Sequence, residues 1–383
     1  VVAGSCGGLA AGGLAASSSD DTVELLLGDL NDLTGGASYV GQGNSNALQI
    51  FADEVNAAGG VVVGDTVYLL AFQTEDSKSD PSGAVAAYRK LRSSGVNFIF
   101  GPTSGGVTPA VLPLIDADSG VIVFPLTTLN DITDGERIVR PAPEVASWDT
   151  TLSEFLIGRS YGTVAYLTDQ NNAAYLNAQP ALVEAVEAAG TVTVAQEYMK
   201  VGDTDFSAQL TKIASLEPDA LVLRAYLGEI VAIQRKVRDL GIEADIIWEA
   251  AAHSSDIVQL IEPAEMEGVI NCRGLDLETA ISGGSAIAQQ LDETMLERYG
   301  IHASNQSFAA WDSMAVFVAA VQQAESVEPD AVLAALLTLA PDDVETIQRF
   351  TPTAAGTILD ETGQSSTPGS CTPWDGEAWG APL

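Results

Sequence analysis

Two stretches carry side chains able to grip a small molecule: GPTSGG at residues 101–106 and PLTTLND at 125–131. Each ends an apolar run, VNFIF and GVIVF, and each offers hydroxyls, amides or glycines at that end. Ser104 and Gly105 stand on the first, Thr127 and Thr128 on the second. A third stretch, DLTGGASYVGQGNSNA at 32–47, follows the opening apolar run in the same way. Strand ends of this kind, in a βαβ series, are where open α/β sheets bind ligands. The chemistry on offer is hydrogen bonding, not covalent change. No GxSxG elbow surrounds a serine, and neither His253 nor His302 falls in a triad context. GGVVVG is not a dinucleotide fingerprint, and GxxxxGK[ST] does not occur. The plainer alternatives are a capping role for Thr127 and Thr128 and a tight turn at Ser104-Gly105.

The elements that must position these residues form two βα blocks. The first runs from residue 22 to about 140 and contains the runs TVYLLAFQTED, VNFIF and GVIVF. The second follows the Arg/Pro link RIVRPAPEV and repeats the rhythm with GTVAYLTDQ, TVTVAQEYMKV, DALVLRAY and ADIIWEAA. Continuous apolar runs of this length predict parallel strands covered by helices on both faces. Leu182, Val183 and Val186, like Ile230, Ile233 and Val237, recur at helical spacing, and Gly190 and Gly241 stand where those helices should stop. A third portion adds a strand ending at Cys272, helices across 285–339, and a tail of short strands and turns.

Composition bounds the partners. The 383 residues carry 52 Asp and Glu against 16 Lys and Arg, a formal charge of −36. Such a surface repels nucleic acid and anionic membranes, and its plainest reading is solubility. No metal ligand spacing surrounds the two histidines, no CxxC occurs, and no cofactor is expected. No run of 18 apolar residues predicts a spanning helix.

The order of the pieces resembles the leucine/isoleucine/valine-binding type of periplasmic solute-binding protein. The residues that carry it are LTGGASYVGQG, ADEVNAAGGV, QTEDSKSDPSGAVAAYRKL, GVNFIFGPTSGGVTPAV and VIVFPLTTLNDIT, then TDQNNAAY, GDTDFSAQLTKI, RKVRDLGI and FAAWDSMAVFVAAVQQA. The resemblance implies an α/β fold of two Rossmann-like lobes, three hinge crossings and a cleft that closes on its ligand. Lobe 1 would take residues 22–140 and about 275–340, lobe 2 residues 141–274 and about 341–383, with 1–21 a flexible leader. Its implied partners are a small polar solute, such as an amino acid, and a membrane ABC permease.

The same resemblance implies site residues. The loop after Gly101-Pro102 meets the ligand carboxylate through backbone amides and a serine, whose usual position falls here on Gly105, one after Ser104. Thr128 matches a hydroxyl donor and Leu126 a backbone carbonyl, with Thr127 between them. Tyr39, Tyr175 and Tyr226 match walls of the cleft, and Glu249 or Asp312 would meet an ammonium. Arg140, at the Pro-flanked crossing, reads as a hinge ion pair.

The first 19 residues are small and uncharged, and Ala3-Gly4-Ser5-Cys6 resembles the end of a lipoprotein signal, with Cys6 the lipid carrier. That predicts export to the periplasm or cell surface. An alternative is a structural subunit of an extracellular assembly that uses residues 1–19 as a linking arm. If Cys6 is lipidated or free, Cys272 and Cys371 remain as a disulfide pair or as two buried thiols.

Overall fold

The computed structural model describes residues 22–200, 202–250 and 253–383. Cys6 and the arm at 1–19 lie outside them. The first sheet takes Thr22–Asn31 (β1), Val61–Val63 (β2), Thr66–Asp76 (β3), Phe98–Phe100 (β4) and Ile122–Phe124 (β5). Its order is β2-β3-β1-β4-β5, with Ser38–Ala57 (α1), Pro81–Ser93 (α2) and Thr108–Asp116 (α3) as connections. The second sheet takes Thr163–Asp169 (β6), Val192–Met199 (β7), Ala220–Arg224 (β8), Asp245–Glu249 (β9), Ile270–Arg273 (β10) and Ser370–Pro373 (β11). Its order is β11-β10-β9-β8-β6-β7. Val145–Gly158 (α4), Ala173–Ala188 (α5), Ser207–Ala214 (α6), Leu227–Asp239 (α7) and Ser254–Leu260 (α8) accompany it. The chain then returns through Leu277–Ser282 (α9), Ala286–Tyr299 (α10), Asn305–Ala324 (α11) and Pro329–Leu336 (α12), whose apolar faces join the first core.

The two sheets are parallel apart from the edge strands β2 and β11, each antiparallel to its neighbour. Every residue of β8 is buried, which is why Ala220–Leu223 is apolar without alternation before the ion-paired Arg224. Local chemistry sets the helix ends. The Asp80 carboxylate accepts from the N–H groups of Ser82 and Gly83, and Pro81 opens α2. Gly190 and Gly241 take φ of 100° and 62° just past α5 and α7.

The chain crosses between the lobes three times among the described residues: before α4, between β10 and α9, and before β11. Arg140, fully buried on the first crossing, donates to the carbonyls of Thr127 (2.9 Å) and Leu129 (2.6 Å). It also donates to Gln364 Oε1 (2.7 Å) on the third crossing and pairs with Glu144 (3.1 Å). Burial brings its pKa down to about 10. One guanidinium thus ties the 127–129 loop to two crossings.

The tail is shared between the lobes. Ile347, Phe350, Ile358 and Leu359 are buried in the first core, whereas the resemblance places everything past about 341 in the second lobe. The segment joins the first core because Asp312 of α11 accepts the N–H groups of Ile347 (2.7 Å) and Gln348 (2.9 Å). Beyond it, Cys371 faces Cys272 across the β10–β11 pair, and the two form a disulfide with S–S 2.07 Å. Among the described residues no helix is long and apolar enough to cross a membrane.

Candidate functional site

A cleft lies where the carboxyl ends of both sheets meet, with an empty volume of about 400 Å³ including the part open to solvent. The first lobe lines it with Ala37, Val40, Thr103, Ser104, Gly105, Thr127, Thr128 and Gln306. The second contributes Asn172, Tyr175, Tyr226 and Arg273. Six residues singled out in the sequence therefore come together: Ser104, Gly105, Thr127, Thr128, Tyr175 and Tyr226.

The β4–α3 loop is held from below. Asp32, at the end of β1, accepts the Ser104 N–H (3.0 Å) and the Ser77 hydroxyl (2.7 Å). That amide is consequently engaged within the protein. Gly105 stands against the other lobe: a Cβ there would come 3.3 Å from the Ala174 N at the start of α5 and 3.7 Å from Thr127 Oγ1. Glycine lets the lobes approach where a serine would intrude. On the β5 loop, Thr127 Oγ1 accepts the Leu129 N–H at 3.3 Å, a local turn bond, while the half-buried Thr128 faces the cleft.

From the second lobe, Asn172 caps α5 by accepting the Ala174 N–H at 3.1 Å. The Tyr175 hydroxyl donates to the Glu249 carbonyl (2.9 Å) and accepts from Arg273 Nη1 (3.3 Å). Burial pushes the Tyr175 phenol up to about 12, so it stays a neutral donor. Tyr226, also raised by burial, precedes α7. Arg273 ends β10, and its guanidinium carbon lies 4.9 Å from the Trp148 ring centre. Gly274 makes that stack feasible, because a Cβ there would come 2.7 Å from the Trp148 ring. With its amide set to suit both neighbours, Gln306 accepts from Arg273 Nη2 (3.2 Å) and donates to the Leu126 carbonyl (3.3 Å). That bond crosses between the lobes.

Four expected contacts are placed elsewhere. Tyr39 is at the rim, 38% exposed, where its hydroxyl donates to Asp256 of α8 at 2.9 Å. The Leu126 side chain is buried in the first core, and its carbonyl is met by Gln306. Glu249 is fully buried, with Oε2 2.7 Å from Arg224 Nε, and Arg224 also holds Asp149 (2.8 Å). Burial drives the Glu249 carboxyl up against the pull of Arg224. Asp312 is the fully buried acceptor for the tail, with its carboxyl raised to about 7 by burial against its two N–H partners. Neither carboxylate lines the cleft, because each is consumed by a partner inside one lobe.

Arg273, Asn172 and Gln306 escaped the sequence reading. The one available signal was a cation directly after the apolar run GVINC, where a fully buried strand should end in something uncharged or paired. Among the described residues no cluster of three or more His, Cys, Asp or Glu could hold a metal.

The profile of the periplasmic binding protein family matches residues 25–377, and the chain belongs to that family. Among curated relatives, the Leu/Ile/Val-binding protein BraC3 of Rhizobium johnstonii is 25% identical over 58% of this chain. The match spans about 60% of that relative's length. Among solved structures, the leucine-binding protein LivK of Thermotoga maritima superposes with a TM-score of 0.78 at 20% identity, covering 93% of this chain and 98% of that one. An ABC-transporter solute-binding protein from R. palustris, solved with benzoate, gives 0.76 at 14% identity over 94% and 95% of the two chains. These likenesses establish the two-lobed fold.

Proposed function

We propose that this protein is the extracytoplasmic solute-binding component of an ABC transporter, closing its lobes on a small polar solute with an anionic end and delivering it to a membrane permease. One observation carries the reading. Ser104 and Thr128 from the first lobe and Tyr175 and Arg273 from the second line one cleft. A ligand touching both lobes stabilises the closed form by its differential affinity for it. The lobe limits on this reading are residues 22 to about 140 with 275–359, and about 141–274 with 370–383. Export fits the Cys272–Cys371 disulfide, which persists in oxidising compartments. The names of the relatives point to amino acids, and the benzoate complex of a structural neighbour points to simple carboxylates.

The test is calorimetric titration and thermal unfolding with a panel of amino acids and small carboxylates. A ligand at 100 times its Kd should stabilise the fold by about 2.7 kcal/mol. A folded protein whose melting temperature is unmoved by every member would contradict the reading.

A further inference from the structure

We propose that the cleft selects carboxylates that lack an α-ammonium group, with Arg273 as their counter-ion; this rests on the binding function proposed above. Among the described residues lining the cleft, Arg273 is the one charged side chain. Its direct partners are neutral: the Tyr175 hydroxyl, the Gln306 amide and the face of Trp148. Its Nε has no hydrogen-bond partner, although buried. Glu249 acts on it only at longer range. A guanidinium so placed presents a charge and donors to an incoming anion.

An amino acid would also bring a cation. A buried ammonium needs an acceptor of opposite charge, since an unpaired one is costly to desolvate. The acids behind the cleft wall are already engaged. Glu249 is fully buried and paired through Oε2 with Arg224 at 2.7 Å, its Oε1 having no hydrogen-bond partner, and Asp32 accepts from Ser77 and Ser104. Asp169 accepts the Asn171 N–H at 2.9 Å. None of the three lines the cleft. The ligand's ammonium would therefore enter a site that offers a guanidinium and no carboxylate.

Matched pairs test this: leucine against 4-methylpentanoate, phenylalanine against 3-phenylpropanoate, alanine against propanoate, with leucinol as a cation lacking the carboxylate. Calorimetry on the intact protein should show at least one deamino acid binding ten-fold or more tighter than its amino partner, and no heat from leucinol. Arg273→Gln should weaken that carboxylate by about ten-fold or more and compress the ratio within the pair, while Arg273→Lys retains part of both. If Arg273 were only structural, its loss would lower the melting temperature and leave the ratio unchanged, which would overturn the proposal. An amino acid binding as well as or better than its deamino partner would overturn it too, and would leave the solute-binding function standing. Absence of binding by every compound would overturn both.

Discussion

Thr128 and Ser104 line the cleft, and Gly105 keeps the space beside the start of α5 clear. A hydrogen bond to a charged ligand is worth roughly 1.5–3 kcal/mol, so Thr128→Val should weaken binding about ten-fold or more without shifting the melting temperature of the unliganded protein. Gly105→Ala adds a Cβ 3.3 Å from Ala174 N and should lower affinity by opposing closure, which titration would read directly. Asp312 separates binding from stability. Asp312→Ala leaves the Ile347 and Gln348 N–H groups unpaired and should cost about 1–3 kcal/mol or more in denaturant unfolding, with ligand affinity unchanged. At this scale the sequence was only partly legible. Ser104, Thr127, Thr128, Tyr175 and Tyr226 reach the cleft because strand ends and helix starts of both sheets converge there. Glu249 and Asp312 looked like free acids because a carboxylate's letter does not reveal the guanidinium or backbone amides that bury it. Arg273 went unseen for the converse reason: its meaning depends on which loop of the other lobe it faces.

Among the elements, β10 bears the most. It carries Arg273 at its end, pairs with β9 and β11, and is joined by its disulfide to a tail 99 residues away. Closing a loop of that size limits the unfolded chain, and removing such a bridge typically costs about 2–5 kcal/mol. The double variant Cys272→Ser, Cys371→Ser should lose that much in chemical unfolding. The Arg224–Asp149–Glu249 cluster beneath β8 and β9 is a second support. Arg224→Met strands two buried carboxylates and should cost about 3–5 kcal/mol. Most of the sheet strands were readable as continuous apolar runs because they are buried on both faces. Strand β2 was not, since three valines between glycines form an edge strand whose pairing is set by β3. The short helices α8 and α9 show too few turns to produce a periodicity. The tail's split between lobes could not be seen in turn-rich sequence, because Asp312 decides it from α11.

At the scale of the molecule, the lobes also meet outside the cleft. His253 beside α8 and His302 beside α11 stack with ring centres 3.9 Å apart. His253 Nδ1 accepts the Ser255 N–H at 3.1 Å, and its Nε2 lies 3.4 Å from Glu278. Burial lowers the His253 pKa below the ordinary 6.5; Glu278, Asp292 and Asp256 oppose that shift, while His302 adds to it. The neutral form therefore favours the folded state. That stability is fully present above about pH 6.5 and is lost as pH falls toward the depressed value in the fold. Melting temperature should decline below that pH, and His253→Phe, which keeps a ring and removes the titrating nitrogens, should flatten the decline.

The central claim is that one solute is held from both lobes at once. Calorimetric titration of the wild type, Thr128→Val and Arg273→Gln with the same carboxylate, 4-methylpentanoate, addresses it most directly. The account expects each single variant to lose about ten-fold or more in affinity, since each removes a charged hydrogen bond from a different lobe. Unchanged affinity in either variant, with the fold intact, would contradict it.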